Sequence, residues 1–184
     1  MPRENISALT NMTVPADADE VQVRDASAPA VNKAVTLAVL RQAMTSGIET
    51  ITAASDAITK AEHGGKTIVL SRSGGIDLTM PEATGSGDVY TFVVGVATAD
   101  AYTITSADET NCDFAGTIVG NDGDGEPGNG WGDADATSLS FGGASQATGG
   151  SVGDRIVLTD IATDLWAVSG IITQGGTEAT PFVA

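Results

Sequence analysis

The sequence predicts an all-β protein, an antiparallel β-sandwich or small barrel preceded by an extended N-terminal arm and one short helix. Three observations carry that expectation. Short segments alternate apolar and polar side chains, the period of a strand with one buried and one wet face, most clearly in KTIVLSRSGGIDLTMPEATGSGDVYTFVVGV over residues 66–96. Only 4% of the 184 residues are aromatic while 23 are glycine, which suits short strands and tight turns better than a large helical core. Turn signals recur every ten to fifteen residues or so, the rhythm of a sandwich or small barrel.

Residues 1–47 are expected to form the arm and its helix, and 48–184 the β domain. Up to residue 30 the chain has Pro2, Pro15 and Pro29 and no sustained periodicity, so any order there must come from a partner surface. Over residues 32–45 the pattern NKAVTLAVLRQAM predicts a helix of about three turns, with Asn32 as N-cap and Gly47 past its end. Leu37, Leu40 and Met44 form one stripe of it and Val31, Val35 and Val39 another, so it needs cover on more than one side. That cover is either its own β domain or a partner, which makes Leu37, Leu40 and Met44 candidate partner-binding residues.

Residues 48–65 predict one or two short strands ending at Gly64-Gly65. Ile68 and Leu70, then Ile76, Leu78 and Met80, then Tyr90, Phe92, Val94 and Val96 mark three consecutive strands, expected to pair antiparallel. Further strands follow at 101–105 and around Ile118. Residues 120–136 read as a long Gly/Asp-rich loop: ten glycines and no Lys or Arg fall within 120–150. Thr137, Leu139 and Phe141 mark a short strand, and Ile156 with Leu158, then Trp166 with Val168, mark two more. The tail TQGGTEATPFVA has one apolar tip, Pro181-Phe182-Val183, expected to dock, with Phe182 as a candidate partner contact.

The formal charge of −16 is uneven. Residues 1–66 hold six bases against eight acids, a net of −2, while 67–184 hold only Arg72 and Arg155 against sixteen acids, a net of −14. So acidic a body repels phosphate backbones, which argues against nucleic acid as a partner. The opening MPRENISALTNMTV lacks the basic start and apolar run of a signal peptide, and no stretch reaches the ~20 apolar residues of a membrane span. With one cysteine, Cys112, no intrachain disulfide can form. The expectation is a protein made in a cytoplasm, with no membrane partner.

Few constellations could carry chemistry. One histidine, His63, and one cysteine cannot supply the three or four ligands of a typical zinc site, and they make a Cys-His nucleophile only if the fold brings them together. There is no GxSxG elbow, and GSGD and GDGEPGNGWGD lack the Lys of a phosphate loop. No cofactor and no enzymatic role are expected. Asp122, Asp124 and Glu126 in NDGDGEPGNGWGD offer hard oxygens of the kind calcium takes, although Pro127 stands where an EF-hand loop needs its bend glycine. Trp131 in the same stretch must fold back onto the domain or meet a partner, and is a candidate partner contact.

Two segments, TIVLSRSGGIDLTMPEATGSGDVYTFVVG at 67–95 and GDRIVLTDIATDLWAVSGIITQGGTEATPF at 153–182, resemble a recurring pattern in structural proteins of tailed bacteriophages. That pattern runs strand, "LP-A-TGSG" turn, "Y-FVVG" strand, later "GD-I-L-DIATNLW-V-G" and a "GT-ATPF" terminus. The matching turn is Met80 to Gly87 and the late motif Asp160 to Trp166. The resemblance implies a capsid decoration, or cement, protein on the virion exterior, with the major capsid protein and other copies of itself as partners. Local three-fold symmetry on such shells makes a homotrimer the expected oligomer. Alternatives are a tail or fibre module that contacts a receptor or glycan through Trp131, and a small hydrolase using paired carboxylates.

Overall fold

The computed structural model describes residues 20–24, 32–36, 47–108, 110–125 and 127–184. It divides into two compact units, 1–45 and 46–184. In the first, β1 (Glu20–Arg24) and β2 (Asn32–Thr36) pair antiparallel, Glu20 opposite Thr36 and Arg24 opposite Asn32. The helix expected over 32–45 therefore does not begin at Asn32. Residues 32–36 end in β-branched Val35 and Thr36 and satisfy their backbone groups across a two-stranded ribbon instead. Leu37, Leu40 and Met44 lie outside the described residues.

The second unit is all-β. Its first strands are β3 (Ile48–Ile51), β4 (Ser55–Ala57), β5 (Thr67–Leu70), β6 (Ile76–Met80), β7 (Val89–Val94) and β8 (Ala101–Ser106). A single helical turn, α1 (Lys60–His63), stands between β4 and β5. Then come β9 (Asp113–Asp122), β10 (Asn129–Ala136), β11 (Ser138–Gly142), β12 (Arg155–Ala162), β13 (Leu165–Gln174) and β14 (Phe182–Val183). One sheet has seven strands, in the order β10-β9-β13-β12-β7-β5-β3, and the other five, β14-β11-β8-β6-β4.

Strand positions follow the alternation in the sequence, but strand pairing does not. From β3 to β8 the chain changes sheet at every strand, so same-sheet neighbours are two strands apart in sequence and run in the same direction. Hence β3 pairs parallel with β5 and β5 with β7, while β4 pairs parallel with β6 and β6 with β8. The three strands expected to form one antiparallel run over 66–96 are thus split between the sheets, and both sheets are mixed. A tight hairpin joins strands of one sheet, whereas the stretches after β5 and β6 must cross the ~10 Å between packed sheets. At the first crossing Gly75 has φ +72°, and a Cβ there would collide with the carbonyl of Ala101, so only glycine admits the chain to β6.

The faces that meet form one core. Ile68, Leu70, Tyr90, Phe92, Ile156, Leu158, Trp166 and Phe114 point in from the larger sheet, and Ile76, Leu78, Met80, Tyr102, Ile104 and Phe141 from the smaller. Tyr90 and Trp166 meet edge to face with ring centroids 5.7 Å apart. Cys112 has no exposed surface.

The loop expected over 120–136 is also corrected. Asp113–Asp122 and Asn129–Ala136 pair antiparallel, so that Gly120 faces Asn129, Ile118 faces Trp131 and Gly116 faces Asp133. Glycine and aspartate give no strand signal in sequence because they pack little, yet their backbones pair as well as any. Among the described residues no helix is long and apolar enough to cross a membrane.

Candidate functional site

Two aspartates flank the inward-facing apolar pair of β12, Asp154 just before the strand and Asp160 within it. Asp154, Ile156, Leu158 and Asp160 share one parity, and all four face inward with 4% exposure or less. Asp160 is the stronger anchor. Its Oδ1 accepts the backbone N–H of Gly85 at 2.6 Å and of Thr84 at 2.9 Å. Its Oδ2 accepts the Ser86 hydroxyl at 2.8 Å, the Thr84 hydroxyl at 3.1 Å and the Ser86 N–H at 3.1 Å. Burial pushes this carboxyl up, but the donors of Thr84, Ser86 and Gly85 outweigh it and hold it at about 2. The TGSG turn is thus a nest of N–H groups of the kind that binds phosphates, filled by the chain's own carboxylate.

Asp154 fastens the other end. It accepts the N–H groups of Thr173 (2.8 Å), Gly150 (2.8 Å) and Ser151 (3.0 Å). Here burial prevails over the three donors and raises the carboxyl above its ordinary value. The sequence held the signal for both anchors, since Asp154 and Asp160 continue the inward parity of Ile156 and Leu158. An acid at an inward position must be met by donors.

The calcium-type carboxylates gather in an unexpected combination. Asp122 ends β9, Asp124 sits in the following turn, and Glu178 arrives from the C-terminal tail, with one carboxylate oxygen of each within 4.8 Å of the others. Glu126 lies outside the described residues. Asp124 Oδ2 accepts the Gly176 N–H at 2.8 Å and Asp122 Oδ1 accepts the Asp124 N–H at 3.0 Å. The latter bond holds the Asp122 carboxyl below its ordinary value. Asp122 Oδ2 and Glu178 Oε1 are buried without a hydrogen-bond donor. Chemically the trio supplies three of the six to eight or so hard oxygens that calcium takes. Glu178 was invisible to sequence reasoning because it lies more than fifty residues from Asp124.

Trp131 folds back onto the domain. It is half-buried against the core, and its indole N–H donates to Gln174 Oε1 at 2.8 Å. Gln174 is itself buried and donates its amide to the carbonyls of Ala147 and Ala179, so one side chain ties β10, the 142–153 loop and the tail together. Phe182 is 5% exposed and pairs with Leu139 in the smaller sheet. As a partner contact it is corrected: the apolar tip docks into its own core, where burial of a Phe is most favourable.

His63 and Cys112 do not meet. His63 is buried in α1, its Nδ1 accepting the Thr59 N–H at 3.1 Å, and Cys112 leads into β9, which is separated from β5, the strand that follows α1, by β13, β12 and β7 in the sheet order. Compared with models of known protein families and with curated proteins, the chain matches none.

Proposed function

We propose that the chain is a structural virion protein that decorates a bacteriophage capsid, binding major capsid protein across subunit seams and making or breaking no covalent bond. In this reading it is made in the host cytoplasm, sits on the capsid exterior and associates with further copies of itself.

One observation carries the reading. The two segments that resemble phage structural proteins are joined to each other: Asp160 of the late motif fills the nest made by Thr84, Gly85 and Ser86 of the early one. Backbone bonds tighten the junction, from Gly87 N–H to the Asp160 carbonyl (2.9 Å), Asp160 N–H to Asp88 (2.9 Å) and Asp164 N–H to Ala83 (3.0 Å). Motifs that resemble one family and depend on each other physically support a shared architecture better than two independent likenesses. The glycan-binding alternative rested on Trp131, whose N–H is already engaged by Gln174, so it draws less support.

The test is binding of the purified protein to expanded phage capsids that lack it, with capsid rupture under heat or low salt as a second readout. Saturable binding over the shell lattice and slower rupture are expected. No binding, or density at the tail tip in electron micrographs, overturns the proposal.

A further inference from the structure

The outer face of the seven-stranded sheet differs from the rest of the surface. Register places Val119, Ile171, Arg155, Val93 and Val69 side by side in one row across β9, β13, β12, β7 and β5. The next row is Thr117, Ser169, Val157, Thr91 and Thr67. Of the seven exposed large hydrophobic residues among the described ones, Ile48, Val89, Val119 and Ile171 stand on this face and Val152 at its rim. Ile171 is 65% exposed. The smaller sheet turns out Asp77, Thr79, Thr103, Thr105, Ser138 and Ser140 instead, an ordinary wetted face.

The charges on this face are few and of both signs. Residues 67–184 carry a net of −14, yet the outward positions of β3, β5, β7, β12, β13 and β9 hold only two charges, Arg155 and Asp113. Arg155 makes no ion pair among the described residues, and the carboxylate of Asp113 accepts no hydrogen bond there. Both are therefore available. Arg155 is level with Val119 on β9, and Asp113 lies six residues back along that strand. Strand spacing and rise put the two about 20 Å apart, at opposite margins of the apolar rows.

We propose that this face packs against the same face of a second copy across a two-fold axis, Arg155 of each copy pairing with Asp113 of the other. A face bearing one cation and one anion is self-complementary: a two-fold axis midway between them brings both pairs together at once. The outward strand positions of the smaller sheet carry one charge, Asp77; the larger sheet offers both signs, Arg155 at one margin and Asp113 at the other, with Asp135 of β10 close enough to Asp113 to add to the anionic end. Six strands across and about 20 Å along them give on the order of 500 Å² per copy, or ~1,000 Å² for the pair, where specific interfaces begin. Small and β-branched side chains suit face-to-face sheet packing. The pair replaces the three-fold association expected from shell symmetry, and it stands whether or not the protein binds a capsid.

Sedimentation of the full chain tests it. The wild type should dimerise at micromolar concentration, and Arg155→Asp and Asp113→Arg should each weaken the dimer at least about tenfold. The double swap should restore it, because the charges still oppose, and Ile171→Glu should give a monomer with unchanged circular dichroism. A wild-type monomer at about 100 µM, a dimer indifferent to the single swaps, or a double swap that stays monomeric overturns the proposal.

Discussion

Replacing Asp160 by Asn keeps the shape of the side chain and removes its charge. The wild-type carboxyl lies at about 2 in the folded protein against an ordinary 3.8, a little under two units, which corresponds to about 2.5 kcal/mol of stability. Because the folded value is depressed, that stability is complete well above pH 3.8 and is lost as pH falls through about 2. The amide adds a second effect. Its NH₂ must face some of the five donors on Thr84, Gly85 and Ser86, leaving buried N–H or O–H groups without acceptors at about 1–3 kcal/mol each. A loss of about 3 kcal/mol at neutral pH is expected, or about 10 °C in Tm for a domain of this size. Urea titrations of both proteins, followed by circular dichroism, would measure it. Their difference should narrow by about 2 kcal/mol between about pH 5 and about pH 2, since the wild type loses its carboxylate over that range and the variant has none to lose. A difference that stays constant over that range, or a neutral-pH loss below about 1 kcal/mol, refutes the assignment of Asp160 as the anchor.

Asp154→Asn should also destabilise, with the opposite pH trend: its folded carboxyl is raised, so wild-type stability gains relative to the variant as pH falls from that raised value to the ordinary 3.8, and parallel titrations should show the gap widen. Gln174→Ala removes the acceptor of the Trp131 indole and two amide bonds, and should lower the unfolding free energy from urea titration by about 2–4 kcal/mol while shifting tryptophan emission to the red. Gly116→Ala drives a Cβ into the Val168 carbonyl where β9 runs beside β13, and should cost more than about 4 kcal/mol, read as loss of soluble protein.

The sequence made some layers of this fold visible and hid others for identifiable reasons. Alternation located β5, β6 and β7, and Ile68, Leu70, Ile76, Leu78, Tyr90 and Phe92 are all buried as their parity requires. Parity states which way a side chain points and is silent about which strand lies beside it, so the sheet change between β5 and β6 was out of reach. The β9–β10 hairpin was hidden because Gly120, Gly130 and Gly132 have no side chains to alternate. The short strand at 32–36 begins a pattern that fits helix equally well, and pairing with β1 decides it. The Asp160 anchor was within reach, since an aspartate in register with Ile156 and Leu158 has nowhere to point but inward. The approach of Glu178 to Asp122 depends on how the tail returns, which no local pattern encodes.

Cys112 is the chain's single thiol and has no exposed surface. A maleimide or disulfide reagent therefore reaches sulfur only when the barrier of packed side chains around it opens. Labelling kinetics on the unaltered polypeptide accordingly report how often that interior opens to solvent, and two native copies cannot become cross-linked through oxidation while it stays shut.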